Sequence, residues 1–396
     1  MAAIWAGIDA GKSHHHCVAI DESGRRLLSR RVANDEPELL ELLTAVLALG
    51  DEVTWGIDLA DGAAALAIAI LLNHDQPVNY ISGRAIHRAS ESYRGEGKTD
   101  AKDAAVIADQ VRIRRDLHPM RIGDETVLDL KILTGRRMDL VAERTRTINR
   151  LRAQLTGIFP GLERALDLTN TGPPIPLTGY QTPAALRRAG RKRLETWLRN
   201  RKVLRADRLA ETALEAAGRH HTSLPGEKLT TQMVHTLARE VLALNQQVAE
   251  IDKAIEARFR EHHDFEVITS LPGLGVVLGA EFLAATGGDM AVFGTPDRLA
   301  GFGGVAPVPR DSGKISGNLR RPRRYNRRLQ RVFYISALFS IRHCEDSRRF
   351  YERKRAEGKR HIQAVLALAR RRVNVLWALL RDERTYEPLP PTAPAA

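Results

Sequence analysis

Two short runs, residues 4–8 and 53–57, are mostly apolar and each stops at an aspartate, Asp9 and Asp58. Runs this short, bounded by polar residues, are read as buried strands rather than helices. Residues 15–20 alternate in polarity, and Asp21-Glu22-Ser23-Gly24 is a turn that folds them back onto residues 26–32 as a hairpin. Asn34 is then expected to cap a helix on which Leu39, Leu40, Leu42, Leu43, Val46 and Leu47 recur at helical spacing. A helix through residues 63–72 and a strand at 78–81 follow. Thr99 or Asp100 is expected to cap a last helix, running to about Arg115. The order is β-β-β-α-β-α-β-α.

That order describes a mixed sheet begun by an antiparallel meander and finished by crossovers, as in the ribonuclease H superfold. It makes the strands before Asp9 and Asp58 neighbours. Downstream the helical period dominates. Val234, Leu237, Val241, Leu244, Val248, Ile251 and Ile255 step by alternating threes and fours, which argues for a coiled-coil seam. Val141, Ile148, Leu151, Leu155 and Ile158 form a weaker upstream counterpart, for which an ordinary bundle helix is an equal reading. The breaker Gly172-Pro173-Pro174-Ile175-Pro176 separates them, and residues 187–208 then carry ten basic side chains. The expected fold class is α/β plus α. Residues 1–120 form the α/β domain, 121–263 a coiled-coil connector with a basic insertion, 264–385 a mainly helical domain, and 386–396 a disordered tail.

Charge narrows the function. Lys and Arg number 61 against 48 Asp and Glu, a formal net charge of +13, which favours polyanions. A membrane partner is not expected, because the longest unbroken apolar run, residues 63–72, is half the roughly 20 residues a spanning helix needs. The N-terminus shows no signal-peptide pattern, and the two cysteines, Cys17 and Cys344, make neither a disulfide framework nor a metal knuckle. A reducing, cytoplasmic setting is expected.

Four carboxylates stand out: Asp9, Asp58, Asp100 and Asp103. Asp100 and Asp103 are three apart at a helix start and share a face. Such a set would repel strongly unless hard divalent cations sat among it, and two Mg²⁺ there would activate the attacking and leaving oxygens of a phosphoryl transfer. Each residue alone has a plainer reading, Asp100 as a cap and Asp58 as a turn. Ala6 to Ser13 is one substitution from a phosphate-binding loop, but that loop must lead into a helix, whereas His14-His15-His16-Cys17-Val18 is a strand pattern. The three histidines alternate faces, so a metal cluster there is not expected.

Near the other end, Leu271-Pro272-Gly273-Leu274-Gly275 resembles a helix-hairpin-helix turn, whose glycines, here Gly273 and Gly275, let the backbone approach a phosphate; a packing turn is the plainer alternative. From Arg310 to Arg331, nine of 22 residues are basic, including Arg310, Lys314, Arg320, Arg321, Arg323, Arg324, Arg327 and Arg328. That density suits phosphate neutralisation. Ser312 and Ser316 are hydroxyls inside this positive field.

Gly7-Ile8-Asp9, Lys98-Thr99-Asp100-Ala101-Lys102-Asp103-Ala104, and the Leu271 to Gly275 turn followed by Ala306-Pro307 and Asp311-Ser312-Gly313-Lys314 occur together. In combination they resemble the DEDD insertion-sequence transposases related to the Piv DNA invertases, also called bridge-RNA-guided recombinases. The resemblance covers nearly the whole chain. It implies a RuvC-like domain, a coiled-coil connection and a C-terminal domain with a nucleophilic serine. Asp9, Asp58, Asp100 and Asp103 would be the Mg²⁺-binding tetrad and Ser312 the nucleophile of a covalent phosphoserine intermediate. The implied partners are donor and target DNA, a structured noncoding bridge RNA, and further copies of the chain, as a dimer or dimer of dimers through the coiled coil. One departure stands: the family's second carboxylate is usually Glu in an E-x-[ST]-G context, whereas this chain has Asp58-Leu59-Ala60-Asp61-Gly62, which makes Asp61 a rival.

Three other readings compete. A RuvC-type Mg²⁺-dependent, structure-selective nuclease would use water and leave Ser312 incidental. An actin-like kinase would explain Ile8-Asp9-Ala10-Gly11 but has no use for the arginine-rich third. A non-enzymatic nucleic-acid scaffold would leave the aspartates without a role.

Overall fold

The computed structural model describes residues 3–93, 97, 99–117, 119–120, 124–313 and 316–388. The chain divides into two compact units, residues 1–123 and 124–396.

The first unit is built from β1 (Ala3–Ala10), β2 (His14–Ile20), β3 (Arg26–Ala33), α1 (Glu36–Leu47), β4 (Glu52–Ile57), α2 (Ala65–Asn73), β5 (Val78–Tyr80), α3 (Gly83–Ser90) and α4 (Asp100–Ile113). Its five strands lie in the order β3-β2-β1-β4-β5. β1, β2 and β3 pair antiparallel, while β4 and β5 add in parallel to β1. This mixed sheet is consistent with a ribonuclease H-like core, and β1 and β4 are neighbours as the element order predicts. Strand β2 directly follows the Gly11-Lys12-Ser13 turn, so no helix receives a phosphate there.

Period-two alternation sends Ile4, Ala6 and Ile8 to one face, where they pack with α1 and α2 through Leu39, Leu42, Leu43, Ala67 and Leu71. The other face presents Gly7 and Gly56 to α4. A Cβ on Gly7 would lie 2.2 Å from the Ala104 carbonyl oxygen, and one on Gly56 would lie 2.4 Å from Val111. The two missing side chains let α4 settle directly on the sheet.

One cap is corrected, one helix is added, and one of two expected caps is settled. Asp35 rather than Asn34 caps α1, accepting from the Glu38 N–H at 3.2 Å. Asn34 instead donates to the Lys12 and Ala63 carbonyls, tying the end of β3 to two loops. Helix α3 was not anticipated from the sequence. Thr99 caps α4 by accepting from the Lys102 N–H at 3.2 Å, so Asp100 sits inside the first turn and capping does not account for it.

The second unit contains α5 (Glu125–Ile158), α6 (Pro160–Ala165), α7 (Pro183–Arg199), α8 (Ala206–Gly218), α9 (Glu227–Arg260), α10 (Phe265–Ser270), α11 (Val276–Thr286), α12 (Pro296–Phe302), β6 (Val308–Pro309), β7 (Leu319–Arg320), α13 (Arg327–His343), α14 (Glu345–Ala356) and α15 (His361–Arg381). Helices α5 and α9 pack antiparallel: Arg258 reaches Asp129 at 2.8 Å, and Arg137 and Arg144 reach Asp252 and Asn245. The downstream seam crosses two cores. Val234 and Val241 pack with α5, α7 and α8, and Ile255 packs with α10 to α15. Between them Leu244, Val248 and Ile251 are only half-buried.

Basic insertion helix α7 bends at Gly190, whose φ is +69°. The segment expected to be disordered begins with a docked residue: the Tyr386 N–H donates to Ser270 Oγ at 2.8 Å, and its ring packs on the C-terminal core. The two cysteines are free, and burial pushes the Cys17 thiol up to about 12. Among the described residues no helix is long and apolar enough to cross a membrane.

Candidate active site and nucleic-acid interface

Asp9 follows Ile8 in β1, and Asp58 follows Ile57 in β4; Ile8 and Ile57 are partners in the parallel register. Like Gly7 and Gly56 two residues earlier, both aspartates stand on the α4 face. The close descent of α4 brings its first turns to the same strand ends. Asp9, Asp58 and Asp103 consequently line one cavity of about 640 Å³, outside the carboxyl ends of the two parallel strands. That is where open α/β sheets hold ligands.

Asp58 accepts from the Ala10 N–H at 3.1 Å. Burial pushes its carboxyl above the usual carboxylate range; the backbone donor opposes that shift, and the Asp103 charge adds to it. Asp100 does not line the cavity. It is exposed at the start of α4, and its charge acts on His16 of β2. Asp61 also lies outside the lining, exposed before the short turn at Gly62. The cavity thus holds three of the four expected carboxylates and takes Asp58 rather than Asp61. Carboxylate oxygens are the donor type a hard divalent cation takes, but among the described residues it is Asp124, His262 and His263, not these aspartates, whose three ligand atoms lie within 4.8 Å of one another.

Several wall residues were missed from the sequence. Helix α3 supplies Ile86, His87 and Ser90, followed by Glu91 and Tyr93, and Lys102 comes from α4. The Tyr93 hydroxyl donates to Asp109, which is itself held by Arg112 at 2.6 Å. The available signal was the four-residue spacing of Ala85, Ala89 and Tyr93, all packed against one cluster with Ile86. Lys98 of the motif lies outside the described residues.

The second unit carries the serine. β6 and β7 pair antiparallel, and the hairpin loop is closed by the Arg310 N–H to the Asn318 carbonyl at 2.9 Å and by Asp311 Oδ1 accepting from the Asn318 N–H at 3.0 Å. Ser312 is exposed on this loop beside Gly313, whose φ of +56° is left-handed. Arg310, Arg320, Arg321, Arg323, Arg324, Arg327 and Arg328 are exposed as well; Lys314 lies outside the described residues. The carboxylate cavity and Ser312 belong to different units.

The Leu271 to Gly275 turn joins α10 to α11. Gly273, at φ +81°, has a packing reason for lacking a side chain, since a Cβ would lie 2.6 Å from the Ser336 carbonyl oxygen of α13. Arg372, nearly fully buried, braces the turn by donating to the Pro272 carbonyl at 2.6 Å and to Ser336 Oγ at 2.7 Å. Gly275 is exposed with open space about it.

Asp124, His262 and His263 form a second metal-like cluster. His262 is buried, and that burial holds its pKa down. Its Nδ1 accepts from the Asp264 N–H at 3.1 Å, so the neutral ring carries its proton on Nε2, the atom facing Asp124 at 3.9 Å. With a proton on that nitrogen, the ring offers Asp124 a donor and a metal no lone pair.

Comparison with known proteins finds two family matches, the first of which runs past residue 123 into the second unit. Residues 6–160 match the DEDD transposase model of the IS110 group, and residues 265–352 match the transposase IS116/IS110/IS902 family. The chain is 58% identical to the 42 kDa protein of insertion element IS900 from Mycobacterium paratuberculosis, over 99% of each chain. It is 51% identical to the 44.8 kDa protein of insertion element IS116 from Streptomyces clavuligerus, over 99% of this chain and 98% of that one. Identity to the 43.6 kDa protein of insertion element IS110 from Streptomyces coelicolor is 37%, over 97% and 95%. The chain belongs to the IS116/IS110/IS902 family of insertion-element transposases.

Proposed function

We propose that this transposase cuts and rejoins DNA through a covalent phosphoserine at Ser312, with the Asp9, Asp58 and Asp103 cavity as its acidic half-site. The gathering of those three carboxylates at the ends of β1 and β4 carries the reading. Asp100, one turn outward, completes the tetrad as an outer ligand. These carboxylates would hold Mg²⁺, which supplies charge neutralisation and activates phosphate-bound oxygens.

The Ser312 Oγ attacks a backbone phosphorus; the Oγ–P bond forms as the bond to the 3′-oxygen breaks, and the proton the serine gives up ends, by way of solvent, on the departing 3′-oxygen. The freed 3′-hydroxyl of another strand reverses the step and releases the serine, so no phosphodiester bond is spent and no nucleotide hydrolysis is needed. The exposed arginines of the hairpin region stabilise the added charge on the phosphorane. Because Ser312 and the carboxylates sit on separate units, a composite site shared between copies is part of the proposal. The half-buried middle of the α9 seam serves as its coiled-coil contact in a dimer or dimer of dimers. The Leu271 to Gly275 turn, through exposed Gly275, acts as a helix-hairpin-helix phosphate contact. A structured noncoding RNA, held by backbone and shape, directs donor and target DNA.

Ser312→Ala and Ser316→Ala are the test. Loss of both the protein–DNA adduct and strand exchange in the first alone supports the reading. Hydrolytic cleavage continuing unchanged in Ser312→Ala would overturn it and favour the water-using nuclease.

A further inference from the structure

The second unit contains a groove of about 1050 Å³ that neither the carboxylate site nor the serine explains. It runs between the segment after α12, strand β7, helix α13 and the first half of α15. Its floor is apolar: Val305, Pro307, Tyr334, Ile362 and Leu366. Part of that floor faces solvent, with Ile362 61% exposed and Leu319 at its edge 59% exposed. Arg320, Arg321, Arg327, Arg331, Lys359 and Arg370 surround it, and among the described residues no acidic one lines it.

The cations are of two kinds. Arg331 is pinned from behind by Glu281 and Arg370 by Asp297, so their positions are set before any ligand arrives. Arg320, Arg327 and Lys359 form no ion pair among the described residues, so their charge is available. A groove so composed wants a partner with both anionic groups and flat apolar faces. Duplex DNA presents its phosphates but hides its base faces in the stack, so it would use the rim and leave the floor wet. An unpaired strand exposes both.

We infer that this groove binds an unpaired stretch of DNA strand, with bases laid on the Tyr334, Ile362 and Leu366 floor and phosphates on the Arg320, Arg327 and Lys359 rim. The inference rests on the proposed serine chemistry in one respect: β7 is the second strand of the hairpin that carries Ser312. The bound stretch therefore runs along that loop, and the nucleotides beside the scissile phosphate are held out of a duplex.

The test uses the full-length protein without divalent cation, fluorescence anisotropy, and three labelled probes: a DNA 12-mer, the RNA 12-mer of the same sequence, and the DNA 12-mer in duplex form. Ile362→Ser and Leu319→Ser change exposed side chains, so neither threatens folding. Each is expected to weaken single-strand binding by about five-fold, the scale of one lost base contact, with less than two-fold change for the duplex. The stretch beside the scissile phosphate is DNA, so tighter binding of the DNA 12-mer than of the RNA 12-mer supports the inference, and the reverse preference would overturn it. Equal losses on strand and duplex would overturn the inference, as would no loss on the strand. Displacement of the 12-mer by polyglutamate as readily as by unlabelled 12-mer would also overturn it, since an acidic protein segment would then be the better occupant. Binding requires no chemistry. A failed groove therefore leaves adduct formation at Ser312 as a separate measurement, and failed serine chemistry leaves the strand-to-duplex ratio standing.

Discussion

The two units solve opposite electrostatic problems. In the first, three aspartates and Glu91 line one cavity, where burial and the Asp103 charge push Asp58 upward. In the second, exposed arginines surround a serine and a groove with no acidic lining residue among those described. The acidic site is held by regular structure, two parallel strands and a helix packed on glycines, whereas the basic one rests on a short hairpin and helix surfaces. A site that concentrates like charge needs a rigid frame and a counter-cation to form. A site that spreads charge over solvent needs neither and takes its order from the polyanion that binds it.

The largest expected effect tests whether the two halves serve one reaction. Ser312→Ala should lower strand exchange by at least about 10³-fold, as loss of a nucleophile does, measured as recombined product and as adduct on a denaturing gel. Next, Asp103→Asn should cost roughly 10²–10³-fold, the scale of removing one charge-stabilising group. Asp100→Asn, outside the cavity, should cost visibly less in the same assay; equal losses would place both on one metal and erase the distinction drawn between them.

Packing comes third. Gly7→Ala forces a Cβ into the α4 backbone and should destabilise the first unit by about 3 kcal/mol, read as a shifted urea midpoint for that unit alone. Fourth, Arg320→Ala should reduce the salt slope of duplex binding by about one phosphate contact, roughly 0.9 in log–log units, without a stability change.

The smallest effect is a pH dependence. Asp58 has a folded pKa above its unfolded one, so the folded state retains the proton through the window between them. Its contribution to stability is therefore present below that window and declines as pH rises through it. Thermal melts of the metal-free protein and of Asp58→Asn should differ in this sense, with the part of the first unit's stability that depends on Asp58 growing on acidification within the carboxylate range. Added Mg²⁺ should raise the melting temperature near neutral pH and do less as the carboxylates protonate.

Much of the first unit was legible because strand and helix periods are local. Residues 4–8, 15–20 and 53–57 announced three strands, and the order of elements implied that Asp9 and Asp58 end neighbouring ones. Helix α3 escaped because its eight residues carry Gly83 and only one fully buried side chain, Ile86, and its four-residue spacing rests largely on two alanines, Ala85 and Ala89, which mark an apolar face weakly. The α1 cap was misplaced by one residue because Asn34 and Asp35 are equally good caps in sequence. What separated them was Asn34 reaching the carbonyls of Lys12 and Ala63, which are distant along the chain. The Leu271 to Gly275 turn looked like a phosphate contact, while Gly273 answers first to the backbone of α13.

By itself the amino-acid order determined the strand and helix types, the excess of positive charge, the aspartates at strand ends and the serine among arginines, because propensity, period and charge reside in neighbouring residues. Only the tertiary structure decided that Asp103 faces the cavity while Asp100 does not, that Asp58 rather than Asp61 joins it, and that scattered cations and apolar side chains from four segments make one groove. Those outcomes depend on how closely α4 descends on Gly7 and Gly56 and on which helices meet across the second unit. Such distances are set by packing between residues far apart in the chain.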